Sequence, residues 1–157
     1  VVSRLTRPKT DAGIKVDGVS DMLLHFANCC QPLPGEKVIG FITRGNGVAI
    51  HNENCRHIKE ADPTRLVGVS WEPSEKNTYP ARLRVITVEG KGILADISAI
   101  FSLKDANIIQ AEVKTTVDNK GIALFTIEVE DYAQLQDIIR SIKKVRHVLI
   151  VERLQDA

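Results

Sequence analysis

Apolar and polar positions divide the chain at two breaks. Pro32-Leu33-Pro34-Gly35 is a rigid turn, and residues 72–78 are a polar stretch between apolar segments. The second break predicts a seam between two units, about 14–79 and 80–157. Residues 1–13 are polar, carry Pro8 and Gly13, and read as a linker end. In the first unit, apolar runs at 38–42 and 47–50 flank Arg44-Gly45-Asn46-Gly47, a hairpin signal. Residues 52–61 predict a short helix with Asn52 as N-cap, and 66–71 a further strand. This unit is small and mostly β.

The second unit has clearer periodicity. Residues 82–88 predict a strand. Leu94, Ile97, Ile100 and Phe101 recur at helical spacing within 92–104. Residues 108–117 alternate as a strand, with Gln110, Glu112, Lys114 and Thr116 on one side. Asp118-Asn119-Lys120-Gly121 is a turn into a strand over 122–130. Asp131 caps a helix whose Leu135, Ile138, Ile139 and Ile142 form one stripe, and 147–153 is a last strand. The fold class is α+β: a small mostly-β cysteine-containing domain followed by a ferredoxin-like βαββαβ domain. Two helices cover one face of its sheet, and the other face is half polar.

Composition narrows the function. With 43% hydrophobic and 26% charged residues the chain is globular in character. Lys+Arg number 21 against 20 Asp+Glu, so no global charge draws the chain to nucleic acid, and any RNA contact must be a local patch. Aromatics are only 4%, too few for a stacking platform. No apolar run reaches membrane-span length. The start, without Met or a hydrophobic leader segment, reads as cut from a longer protein. Three cysteines without a secretory signal favour a reducing cytoplasm over a disulfide framework.

Those cysteines are candidate ligands. Cys29 and Cys30 are adjacent, and His51 and Cys55 stand four apart. Together they make a Cys₃His set suited to tetrahedral zinc, which would stabilise a thin-cored unit. His25 and His57 are rival ligands. Adjacent residues in a strand point to opposite faces, so Cys29 and Cys30 share a metal only on irregular backbone, which Pro32 and Pro34 favour. The other readings are a buried apolar cysteine beside an unliganded one, or a Cys30 or Cys55 nucleophile activated by His51 or His57.

A second constellation is Glu89-Gly90-Lys91-Gly92-Ile93-Leu94-Ala95-Asp96, at a strand-to-helix turn. Glycines and a helix N-terminus there suit a small anionic ligand such as an amino acid, or simply turn the chain. Asn107 could face the same turn. The apolar residues Ile93, Leu94, Ile108 and Ile109 favour valine, isoleucine or leucine. Lys37, Arg44, Arg56 and Lys59 form a candidate phosphate-contacting group. Arg140, Lys143, Lys144 and Arg146 read as a solvated helix end answering the helix dipole. Trp71 and Phe41 read as core.

The segment 18–35, Gly-Val-Ser-Asp-Met-Leu-Leu-His-Phe-Ala-Asn-Cys-Cys-Gln-Pro-Leu-Pro-Gly, and the segment 39–55, from Ile39-Gly40-Phe41 to Asn54-Cys55, resemble the conserved-cysteine, zinc-finger domain of the RelA/SpoT family. That family comprises the synthetases and hydrolases of the stringent-response alarmone (p)ppGpp. Gly90-x-Gly92-Ile93-Leu94-Ala95-Asp96-Ile97 and Ala106-Asn107-Ile108 resemble an ACT domain, and in the family these two domains end the protein in this order. The resemblance implies that Cys29, Cys30, His51 and Cys55 are metal-type positions. It implies that Gly90, Gly92, Ile93, Leu94, Asn107 and Ile108 are positions for an amino-acid effector, commonly bound at a dimer interface. It further implies contact with ribosomal RNA and A-site tRNA, and control of the parent's own catalytic domains. No hydrolase or synthetase motif is present, so the chain is expected to be catalytically silent.

Overall fold

A computed structural model describes residues 13–18, 22–72, 77–88 and 91–155. They fall into two compact units, the first reaching Asn77 and the second spanning Thr78–Gln155.

The first unit holds strands β1 (Ile14–Val16), β2 (Leu24–Phe26), β3 (Val38–Ile42), β4 (Val48–Asn52) and β5 (Leu66–Trp71), with a one-turn helix α1 (Arg56–Lys59). They form one sheet in the order β1-β5-β3-β4-β2. The expected hairpin is β3–β4, antiparallel with Ile42 opposite Val48. Gly47 closes it with φ 70°, and a Cβ there would fall on the Leu23 carbonyl oxygen. That close approach lets β2 pair in parallel with β4.

Alternation along β3 splits the unit's core between the two sheet faces. Val38 packs with Ile14, Val16, Val48, Ile50 and Trp71. Ile39 and Phe41 pack with Ala27, Cys30, Cys55 and Ile58. Trp71 stacks on Phe26 with centroids 5.7 Å apart, and its Nε1–H donates to the Glu36 carbonyl at 3.0 Å.

Two local expectations change. The helix over 52–61 contracts to α1, capped by Cys55, and Asn52 ends β4. The Asn52 side chain instead donates to Glu36 Oε2 at 2.7 Å and accepts from Asn54 N–H at 3.0 Å. An Asx turn thus takes the place of an N-cap, since the Asn side chain satisfies a turn as readily as a helix end. Strands β1 and β2 are three residues long, too short for alternation to reveal.

The second unit runs β6 (Tyr79–Val88), α2 (Ile93–Leu103), β7 (Asn107–Thr115), β8 (Lys120–Val129), α3 (Tyr132–Lys143) and β9 (Val148–Leu154). The sheet order is β7-β8-β6-β9, the expected βαββαβ arrangement. Asp131 caps α3, accepting from Gln134 N–H at 2.7 Å, while Gln134 Oε1 accepts from Glu130 N–H at 2.6 Å. Leu135, Ile138, Ile139 and Ile142 are all buried. The α2 stripe is rotated from expectation: Ile93, Ile97 and Phe101 are buried and Leu94 is 48% exposed. The helices cover a sheet face of Ala81, Leu83, Val85, Ala123, Phe125 and Ile127, where Phe101 meets Phe125 edge-on at 5.0 Å.

The opposite face carries the Arg84–Glu152 ion pair and a cross-sheet row of Ile150, Ile86 and Ile122. Strand β7 lies at the sheet edge and is exposed at every position except Ile108.

Candidate functional site

Three elements bring the Cys₃His set together. Cys29 and Cys30 sit in the turn after β2, His51 is in β4, and Cys55 caps α1. The backbone around the cysteine pair is irregular, as shared ligation requires: Gln31 has φ 41° and its N–H donates to Ala27 at 3.0 Å. Cys29 Sγ stands 3.9 Å from Cys30 Sγ, 3.6 Å from Cys55 Sγ and 3.4 Å from His51 Nδ1. His51 Nδ1 is 3.7 Å from Cys30 Sγ, and all four ligand atoms lie within 4.8 Å of one another.

Bonds of about 2.3 Å to sulfur and about 2.0 Å to nitrogen, set tetrahedrally, hold ligand atoms about 3.5–3.8 Å apart. The Cys29 contacts and the His51–Cys30 pair stand near metal-coordination spacing, and the cluster could hold a metal ion. The Asn52 N–H donates to Cys30 Sγ at 3.2 Å, an outer contact of the kind that orients a thiolate ligand. His25 and His57 are not in the cluster. His25 is exposed on β2 and His57 on α1.

Burial dominates the electrostatics. It pushes the Cys30 thiol up to about 12 and raises Cys29 as well. It lowers His51, with help from the nearby His57 and His25. Without metal the site is thus a neutral imidazole beside protonated Cys29 and Cys30. Thiol activation needs the opposite shift, which removes the basis for Cys30 as a nucleophile.

The second candidate constellation lies at the turn after β6. Gly90 lies outside the described residues. Gly92 caps α2 with φ 79° and supplies no side-chain hydrogen bond. Ile93 and Leu94 line a cleft of about 160 Å³ with Thr87, Ile97, Val113, Thr115, Gly121 and Ala123. Asn107 and Ile108 do not join them. Register places Asn107 opposite Glu128, itself opposite Pro80, at the far end of the sheet. Its side-chain amide donates to Glu128 at 3.3 Å. Sequence reasoning missed Thr87, Val113, Thr115 and Gly121, since β7 runs parallel to β6 and brings its C-terminal end to this turn, not its start.

The basic group is split. Lys37, Arg44, Arg56 and Lys59 are all exposed. The Lys37 carbonyl accepts from Glu53 N–H, so Lys37 stands where β4 leads toward α1, with Arg56 and Lys59. Arg44 is in the hairpin turn at the other end of β3, about 17 Å along the strand. Arg56 also lies 3.6 Å from Glu60. Arg65, unremarked in the sequence, lies 4.7 Å over the Phe41 ring.

Residues 14–72 match the RelA/SpoT RIS domain family and residues 75–153 the ACT domain family. The chain is 39% identical to a GTP pyrophosphokinase of Myxococcus xanthus, over 98% of the chain and 20% of that protein. It is 31% identical to a GTP pyrophosphokinase of Streptomyces coelicolor, over 98% of the chain and 18% of that protein. It is 30% identical to a bifunctional (p)ppGpp synthase/hydrolase of Mycobacterium tuberculosis, over 98% and 21%. A crystal structure of the ACT domain from a Chlorobium tepidum GTP pyrophosphokinase shares 24% identity and a TM-score of 0.45, covering 50% of this chain and 100% of that one. The chain spans about a fifth of the length of the enzymes it matches.

Proposed function

Because this chain belongs to the RelA/SpoT family, as its C-terminal RIS–ACT regulatory region, we propose that it holds zinc, docks on ribosomal RNA and A-site tRNA in the cytoplasm, and controls the catalytic domains of its parent. The chain contains none of those catalytic domains. The observation that carries this reading is the assembled Cys₃His cluster within the RIS match. Zinc suits three sulfurs and one imidazole at tetrahedral spacing, and here it would lock a turn, a strand end and a helix cap into one surface. No helix among the described residues is long and apolar enough to cross a membrane.

The test is sedimentation with ribosomes stalled on uncharged tRNA. Binding is expected to fall with salt, as phosphate contacts require. Arg56→Glu with Lys59→Glu should release the chain, while Arg44→Glu, at the other end of the hairpin, should act separately. Unchanged sedimentation of the Arg56/Lys59 variant at every salt concentration would refute RNA docking through α1.

A second reading is effector sensing by the ACT unit, with a branched-chain amino acid at the turn after β6. The apolar cleft beside Ile93 and Leu94 supports it. It predicts a homodimer, for which β7 is the suited surface, being an exposed edge with unpaired backbone groups. Antiparallel pairing of two β7 strands about Val113 would set each Glu112 opposite Lys114 of the second copy. Moving the axis one residue either way sets Glu112 against Glu112, or Lys114 against Lys114. Charge thus selects one register.

A further inference from the structure

The three cysteines of the metal-type cluster are unequal. Cys29 is half-buried, whereas Cys30 and Cys55 are 3% and 7% exposed. Cys29 Sγ is also the hub of the set, within 3.9 Å of each of the other three ligand atoms. A small oxidant arriving from solvent therefore meets Cys29 first, with two further sulfurs beside it.

Those two sulfurs differ as partners. Cys30 is the next residue, and adjacent Cα atoms stand about 3.8 Å apart, below the range of about 4.4–6.8 Å that unstrained disulfides span. Cys30 Sγ also accepts from Asn52 N–H at 3.2 Å. Cys55 is 26 residues along the chain, and its Sγ lies 3.6 Å from Cys29 Sγ. Cys29 sits in the turn after β2, outside the strand ladders, where a side-chain rotation or a small backbone shift closes that gap.

We infer that Cys29 and Cys55 form a hydroperoxide-responsive dithiol, with Cys29 the attacked sulfur and Cys55 the resolving one, and that their disulfide takes the place of the metal. The Cys29 sulfur attacks the O–O bond, becomes a sulfenic acid, and one water leaves. The Cys55 sulfur then attacks Cys29 Sγ, the S–O bond breaks, and a second water leaves. Two thiols lose two electrons and two protons, and hydrogen peroxide takes them up to become two waters. Where a metal is held, the sulfurs start as thiolates, two solvent protons complete the waters, and the metal loses two ligands. The new bond ties the turn after β2 to the cap of α1, while His51 and Cys30 are left unbridged. Loss of metal rests on the zinc reading, whereas the disulfide rests on the sulfur geometry alone. A dithiol reductant would reverse the bond and return the site to its metal-binding form.

Hydrogen peroxide added to the reduced 157-residue chain, loaded with zinc and kept dilute, tests it. One zinc per chain should pass to a chromogenic chelator, and the intact mass should fall by about 2 Da. After free thiols are alkylated, peptide mapping should find Cys29 joined to Cys55 and Cys30 alkylated. Cys30→Ser should form the same bridge, and Cys55→Ser should stop at a Cys29 sulfenic acid that dimedone captures. Mapping of the unsubstituted chain decides the pairing even where a variant does not fold. By Trp71 fluorescence the oxidised chain should melt above the reduced, chelated chain. A Cys29–Cys30 bridge, a bridge between chains, or a Cys29 sulfinic acid beside a free Cys55 would overturn the pair. Three alkylatable thiols after peroxide would overturn it as well. The Cys29–Cys55 bridge in a chain that takes up no zinc would keep the pair and overturn the zinc reading.

Discussion

Cys29 and Cys30 show how one backbone angle decides a site. Their neighbours in the set, His51 and Cys55, were legible from spacing alone. The adjacency of the pair argued against convergence, because side chains one residue apart diverge on an extended strand. The turn at 28–30 and the positive φ of Gln31 resolve that conflict, and neither has a sequence signal as clear as a glycine would give. Proton bookkeeping follows from the same residues. Burial keeps Cys29 and Cys30 protonated at neutral pH, above their ordinary value of 9.0, so metal uptake must release at least these two protons. Calorimetry in buffers of different ionisation enthalpy should show at least two protons released, and affinity falling about 100-fold per pH unit on acidification. The metal-free fold has the reverse dependence. Raised thiols stabilise it fully below about pH 9, and that contribution is lost as pH climbs toward about 12. Denaturant melts of the chelated chain from pH 7 to 11 should therefore show falling stability.

Elements with long periodic stripes were the most legible. The α3 stripe of Leu135, Ile138, Ile139 and Ile142 is buried as its spacing required, and Ile138→Ala should cost about 2–5 kcal/mol in denaturant melts. Helix α2 was found but rotated, because its first residue, Ile93, enters the core in place of Leu94. The strand β2 was missed, since three residues show no period; its place is fixed by Gly47, and Gly47→Ala should unpair it at a cost of about 1–3 kcal/mol. Strand β7 was legible as a strand, but its alternation did not show that both faces lie bare. If it joins two copies, Glu112→Lys alone should weaken the dimer several-fold, about 0.2–1 kcal/mol per lost pair plus the new repulsion. Adding Lys114→Glu should restore it, and equilibrium ultracentrifugation reads both. Equal dimer constants for all three proteins would remove the charge register.

Over the whole chain, the two units draw on different sources of order. The second has a continuous core under two helices, with Phe101, Phe125, Leu83 and Ile127 buried to 1% exposure or less. The first divides its apolar side chains between two faces of a short-stranded sheet, and one of those clusters contains Cys30 and Cys55. A core so thin needs a staple. Chelation should lower the melting of the first unit, read by Trp71 fluorescence, while far-ultraviolet signal from α2 and α3 persists. Loss of both signals together on chelation would contradict this division. The order and class of the domains could be read from motifs, whereas the cleft could not, because it joins Thr87, Val113 and Gly121 across three strands. The bare edge of β7 also sets a clock. Amides on its outer side have no strand beside them among the described residues and should exchange for deuterium at nearly the rate of an open coil, while those facing β8 persist far longer. Isotope uptake along 107–115 should thus alternate from residue to residue in a lone chain and become uniformly slow once the edge is occupied.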